Sequence, residues 1–364
     1  MPTDLALDAR THVPERQSGR ASSVANRRLV SLWLFATYAV IIVMIGIGGY
    51  VQNDDAGLSI MVWQPISGVI PPLTTAAWAH MFALYKTIPQ YQIANPHMDL
   101  AGFKAIFWPE YIHRMWGRLL GFVFGVPLVW FWLTGRLERR LRPWLALLFA
   151  LGALQGLIGW FMVSSGFEPG HVVVTPWRLS LHYCAAVLLC IAIFWTALVV
   201  SKPTVDYVPA GRAPRRWAIA SIVTIALALF AGTFVSGTRA YLVHNHFPLM
   251  EGQLIPPDYA ALHPFWLNWF ANKAAVQWNH RLLGTLTAIV TIGAFVSGLR
   301  ADLPSRARDA FLAMGVLVFA QYVLGVSTLV SKNMNLGLLH QMNAVLLLSA
   351  AVWAVFELRG RAPT

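Results

Sequence analysis

The sequence predicts an all-α polytopic membrane protein, with eight transmembrane helices as two tandem pseudo-symmetric four-helix bundles. Three observations carry that prediction. Hydrophobic residues make up 57% of the 364 positions and charged residues only 12%, with 16 tryptophans, a balance far from that of soluble domains. Eight apolar runs are each long enough to span a bilayer, which takes about 20 residues of helix. The second half of the chain also repeats motifs of the first in the same order, the signature of internal duplication. The runs are continuous rather than alternating, which argues against a β-barrel.

Residues 1–28 carry five arginines and three acids and no apolar segment, so they read as a disordered cytoplasmic tail rather than a cleaved signal. The first span, 29–52, ends in Gly46, Gly48 and Gly49, small residues that permit close helix contact. An outer loop of about 53–109 follows, with Gly57-Leu58-Ser59, Trp63-Gln64-Pro65 and Ile70-Pro71-Pro72. It is too aromatic for a free linker and is expected to fold over the outer helix ends. Spans at 111–134, 143–163 and 179–200 complete a first bundle, 29–202. Spans at 216–237, 275–299, 308–330 and 336–357 make a second, 215–358. The outer loop of that second bundle carries Ile255-Pro256-Pro257, which echoes Ile70-Pro71-Pro72.

Eighteen of the 27 lysines and arginines fall in the terminal tails and the three short even-to-odd loops. The positive-inside rule makes those segments cytoplasmic, or matrix-facing if the membrane is mitochondrial; a bacterial inner membrane with both termini in the cytoplasm is the expectation. The net charge of +12 then reflects topology and contact with membrane lipids, and calls for no nucleic acid. Cys184 and Cys190 stand about 9 Å apart along one helix on different faces, so they should not pair.

The chemistry concentrates where histidines enter the spans. Glu110-Tyr111-Ile112-His113-Arg114-Met115-Trp116-Gly117 and Gln277-Trp278-Asn279-His280-Arg281-Leu282-Leu283-Gly284 share His-Arg-x-x-Gly at an offset of 167 residues. Gln155-x-x-x-Gly159 recurs as Gln321-x-x-x-Gly325, and Leu181-His182 recurs as Leu339-His340. Ionisable groups in a span are costly and are functional suspects by default. Only His113, His182, His280 and His340 of the 11 histidines lie in the spans, each expected within two turns of the outer surface. Two imidazoles at one depth across a four-helix bundle can ligate one haem iron axially. A packing role suits any one histidine alone; four in duplicated positions point to iron. Arg114 and Arg281 follow a ligand in both repeats and suit haem propionates, while Arg118 and Arg178 fit that role and snorkelling to headgroups about equally. His244 and His246 lack a third ligand at metal spacing and read as loop residues.

One asymmetry separates the halves. Glu110, three residues before His113, stands where the second half has Gln277. A carboxylate can exchange a proton or stabilise a positive charge, and an amide of the same shape can do neither. That makes Glu110 the catalytic candidate. The first half, with His113 and His182, becomes the substrate site, and the second, with His280 and His340, the cofactor site. The bland alternative is that Glu110 favours its helix N-terminus, worth about 0.3–1 kcal/mol.

With Gly57-Leu58-Ser59, Ile70-Pro71-Pro72, Phe107-Trp108-x-Glu110-Tyr111-Ile112-His113-Arg114, Asn279-His280-Arg281 and Leu339-His340-Gln341, the chain resembles the haem A synthase family from about 29 to 358. The lack of loop cysteines is similar to the mitochondrial and proteobacterial branch. The family's Thr-Arg-Leu-Thr segment is replaced by Tyr50-Val51-Gln52-Asn53, which removes an arginine from the first loop. The resemblance implies a haem b cofactor and a haem O substrate, whose C8 methyl is oxidised to formyl with oxygen from water for cytochrome oxidase. A haem O synthase, oxidase assembly factors and self-association into a homo-oligomer are the partners it brings to mind. A di-haem electron-transfer cytochrome b is the competing class, but it would place haems on opposite sides of the bilayer. A pseudo-symmetric transporter would want broken helices and polar groups at the midplane, of which the sequence has few.

Overall fold

The computed structural model describes residues 14–360. Within that range the protein is all-helical, without strands apart from one isolated bridge between Met250 and Gln253. The helices are α1 (Pro14–Asn53), α2 (Thr75–Tyr85), α3 (Leu100–Leu133), α4 (Arg142–Ser164), α5 (Pro176–Ser201), α6 (Arg212–Gly237), α7 (Lys273–Arg300), α8 (Ser305–Ser331) and α9 (Met334–Glu357). All but α2 are long and apolar enough to cross a membrane, and the chain is an integral multi-pass membrane protein. α1 packs on α3 and α5, and α4 on α5; α6 packs on α7 and α9, and α8 on α9. α1 and α5 meet α9, and α5 meets α6, so these four helices form the seam between the two groups.

Six of the eight spans begin and end within four residues of the expected positions, and two differ. α1 reaches back to Pro14, into the stretch expected to be a disordered tail; residues 1–13 lie outside the described residues. Pro14 suits the first turn of a helix, and Glu15, Arg16 and Gln17 are good helix formers. α3 begins at Leu100 rather than 111. Asp99 caps it, its side chain accepting from Gly102 N–H at 2.8 Å, so the helix runs about 51 Å and its first turns stand above the apolar stretch.

The 53–109 loop folds as expected. Its own core is Leu58, Trp78, Tyr85, Ile88, Phe103 and Phe107, closed by Val163 and Val174. Trp78 lies edge-on to Phe107 at 4.9 Å. Tyr85 Oη donates to Gln90 Oε1 (3.0 Å), and Gln90 Nε2 donates to the Asp55 carbonyl (3.0 Å), which ties the loop to the end of α1. Pro127 inside α3 cannot donate to the carbonyl of Val123. The Trp33 indole on α1 donates to that carbonyl instead, at 2.8 Å.

Candidate functional site

The four span histidines lie at nearly one level. His113 is 20 residues from Leu133, His182 is 19 from Ser201, His280 is 20 from Arg300 and His340 is 17 from Glu357. At 1.5 Å per residue that is roughly 26–30 Å from the arginine-rich helix ends, one hydrocarbon thickness. His182, His280 and His340 sit within two turns of their helix starts. His113 does not, because α3 starts eleven residues early.

His280 and His340 face each other. Their ring centroids are 6.2 Å apart and the planes stand at 84°. His280 Nδ1 donates to the Ala228 carbonyl on α6 (3.1 Å), and His340 Nδ1 donates to the Gln321 carbonyl on α8 (3.1 Å). Such bonds orient a ring and turn its other nitrogen away from the backbone; that of His280 is left for a metal, and that of His340 also lies 3.2 Å from Gln321 Nε2. With metal–imidazole bonds of roughly 2 Å, the centroids of two rings flanking one iron fall about 6 Å apart, so the residues fit an axial haem pair.

Each histidine is also backed by a glycine at which a side chain would crowd the ring. A Cβ on Gly48 would meet the His113 ring at 3.1 Å, on Gly159 the His182 ring at 2.9 Å, on Gly232 the His280 ring at 3.0 Å, and on Gly325 the His340 ring at 2.8 Å. The recurring Gln-x-x-x-Gly thereby acquires a meaning. Gln155 Nε2 lies 3.1 Å from His182 Nδ1 and donates to the His182 carbonyl at 2.6 Å, while Gln321 Nε2 lies 3.2 Å from both ring nitrogens of His340. Asn343 fixes that glutamine, donating to Gln321 Oε1 at 2.7 Å. Spacing alone exposed the Gln-Gly motif but not its target on another helix. Gly48 was legible only as a helix-contact residue, and Gly232 carried no signal in the sequence.

His113 stands on α3 and His182 on α5, both of the first helix group. Glu110 is buried beside His113, 4% exposed. Its Oε1 accepts from Arg114 Nε at 2.6 Å, and its Oε2 lies 4.0 Å from His113 Nδ1. Gln277 is equally buried, at 2%; its Oε1 accepts from Arg281 Nη2 (2.8 Å) and its Nε2 donates to the Ala240 carbonyl (2.7 Å). The carboxylate and the amide thus hold equivalent places.

The arginines do something the sequence did not disclose. Arg114 donates to the carbonyls of Val62 (3.1 Å) and Ile60 (2.6 Å). Arg281 donates to those of His246 (2.9 Å) and His244 (2.5 Å). One offset of 184 residues relates both carbonyl pairs, and also Gly48 to Gly232. Each arginine therefore clamps the loop that precedes its helix onto that helix, beside a span histidine. Arg118 does the same with Pro65 (2.9 Å) and Gln64 (2.7 Å). Arg178 is turned to Glu168, at 3.0 Å. A cavity of about 410 Å³ opens between loop and α3, lined in part by Ile60, Val62, Phe107, Tyr111, Arg114 and Arg118. His244 lies 3.1 Å from Glu251 and 3.6 Å from Asp258. Among the described residues no group of three or more His, Cys, Asp or Glu side chains is placed for a bare metal ion. Both cysteines are free.

A family model described as "Cytochrome oxidase assembly protein" (COX15-CtaA) matches residues 31–352. Heme A synthase 2 of Acidiphilium cryptum is 65% identical over 347 residues, 94% of this chain and 95% of that protein. Heme A synthase 1 of the same organism is 43% identical, covering 92% of this chain and 93% of its own length. The heme A synthase of Granulibacter bethesdensis is also 43% identical, with 93% and 90% covered.

Proposed function

The chain belongs to the haem A synthase family of cytochrome oxidase assembly proteins, and from that premise we propose that it oxidises the C8 methyl of haem O to a formyl group for oxidase maturation. The oxygen comes from water, and two successive two-electron oxidations pass their electrons to an acceptor outside the chain. The helix groups 29–202 and 215–358 divide the labour: His280 and His340 hold a resident haem b, and His113 and His182 hold the substrate haem. When bound, haem b supplies one-electron redox chemistry. The glycines behind each imidazole and the bonds to Ala228 and Gln321 keep the rings upright. Arg114 holds the Glu110 carboxylate by its Oε1, which leaves Oε2 on the His113 side to take a proton from water or to stabilise positive charge on the substrate. The cavity over α3, with Arg114 and Arg118 in its wall, receives the propionate edge of haem O. In the second half, Arg281 serves the resident haem by fixing the loop above it. The protein sits in the bacterial inner membrane with both termini in the cytoplasm, receives haem O from a haem O synthase, and works beside oxidase assembly factors.

The observation that carries the division is Glu110 in one half and Gln277 in the same place in the other. Glu110→Gln preserves the shape and the bond to Arg114, as Gln277 does with Arg281. Haem extracts from cells carrying it should show haem A down by about 100-fold or more and haem O or a hydroxylated intermediate accumulating. The haem b spectrum of the purified protein should be unchanged, and adding Gln277→Glu should not restore haem A. Haem A at close to the wild-type level would reduce Glu110 to a structural residue.

A further inference from the structure

We propose that His244, Glu251 and Asp258 form a latch that retains the resident haem in the second half, and that the first half lacks it so that its haem can come and go. The proposal rests on the division of sites given above. That division sets unlike demands on the two loops: a substrate haem enters and leaves at every turnover, whereas a cofactor stays. Yet both loops are clamped by equivalent arginines, Arg114 and Arg281, through carbonyls related by 184 residues. Some other feature must set them apart.

The same offset applied to the side chains shows the difference. The counterparts of His244, Glu251 and Asp258 are Ile60, Ser67 and Thr74. Between α6 and α7, the His244 side chain is only 11% exposed. Its Nδ1 donates to Glu251 Oε1 at 3.1 Å, and its Nε2 faces Asp258 Oδ1 at 3.6 Å. The ring thus draws three points of one loop together. The His244 carbonyl is held by Arg281 Nη2 at 2.5 Å, which ties the cluster to the helix of His280. Two further bonds join residues whose first-half counterparts cannot make them. Asn245 Nδ2 donates to the Leu329 carbonyl on α8 at 3.0 Å, where the first loop has Met61. Tyr259 Oη donates to Asn279 Oδ1 at 3.0 Å, next to His280, where α3 has Ile112.

Between α1 and α3, Ile60 and Thr74 lie in the wall of the 410 Å³ cavity. Open space therefore stands where the second loop has an imidazole between two carboxylates. The clamp peculiar to this side is Arg118, whose counterpart is Thr285. It holds the loop at Gln64 and Pro65 and itself lines the cavity without closing it. Segments that open during function are drawn from the weakly held parts of a fold, and by that measure the first loop is the one that opens.

The test mixes the full-length, haem b-loaded protein in detergent with excess apomyoglobin, which captures haem as it is released, and follows the transfer by absorbance. His244→Ile installs the first-half residue. It should release haem b about threefold to fivefold faster than the wild type, the scale of a partly exposed charged pair. Its absorbance spectrum and helical circular dichroism before mixing should be unchanged. Glu251→Gln combined with Asp258→Asn should speed release to a similar extent. Adding His244→Ile to that pair should then change little, because the three side chains act as one unit. Release at the wild-type rate from His244→Ile would overturn the proposal. So would effects that simply multiply, which mark separate losses of stability. His280→Ala checks the resident site on its own: it should purify without haem b, and haem b retained there would remove the site assignment and the latch with it.

Discussion

At the scale of single residues, the placing of the span histidines rests on glycines as much as on the rings themselves. A methyl group on Gly325 would stand 2.8 Å from a ring carbon of His340, and both are backed by packed helices, so the ring must swing away. Gly325→Ala should therefore cost the purified protein most of its low-spin haem b absorbance while leaving its helical circular dichroism intact. His280→Ala and His340→Ala should each do the same, and a spectrum unchanged in both would refute the axial pair. The cysteines make the opposite case. Cys190 is fully buried among apolar neighbours, and Cys184 only approaches Ser180 Oγ at 3.9 Å. A double Cys→Ala variant should keep haem A production, measured by haem extraction. These residue roles were unevenly legible. A histidine in an apolar run declares itself because it is expensive there. A glycine that yields to a ring on another helix looks the same in sequence as one that yields to a methionine, as Gly46 does to Met342.

At the scale of elements, what the sequence showed well was hydrophobic length, and what it hid was polar exchange between elements. The extent of α5 to α9 follows from apolar runs bounded by prolines, asparagines and arginines. The start of α3 did not, because Phe103 and Phe107 bury against α2 and read as loop aromatics until α2 is seen. The Trp33 indole bond to Val123 is likewise invisible in one dimension, although Pro127 announces that some carbonyl on α3 needs a donor. Trp33→Phe keeps the ring but leaves that carbonyl without its donor. It should destabilise the protein by about 1–3 kcal/mol, read as a lower midpoint of thermal unfolding in detergent. The loop clamps make a second prediction. Arg118→Ala frees the carbonyls of Gln64 and Pro65, and limited proteolysis should then cut within residues 60–74 faster than in the wild type.

At the scale of the whole molecule, the halves are joined at both ends. Across the loop-bearing end of the molecule Arg239 Nη2 reaches Asp55 Oδ1 at 2.5 Å. Both residues adopt left-handed backbone (φ 56° and 53°) just past the ends of α6 and α1. The pair is partly exposed, so removing it should cost less than about 1 kcal/mol. Deeper down, one apolar core runs from Trp33 and Leu145 through Ile193 and Ile225 to Phe311 and Ala351, which argues for halves that unfold together. The orientation is open to direct test. A green fluorescent protein fused after residue 360 should fluoresce, and alkaline phosphatase fused after Leu254 should be active; the reverse pattern would invert the topology. The common level of the four histidines has an electrical consequence. In the proposed arrangement, two irons in one plane parallel to the bilayer exchange electrons sideways. Such a transfer moves no charge through the transmembrane field, whose work is about 2.3 kcal/mol per charge per 100 mV. Electron exchange between the two sites should then proceed at the same rate in energised and in uncoupled membranes.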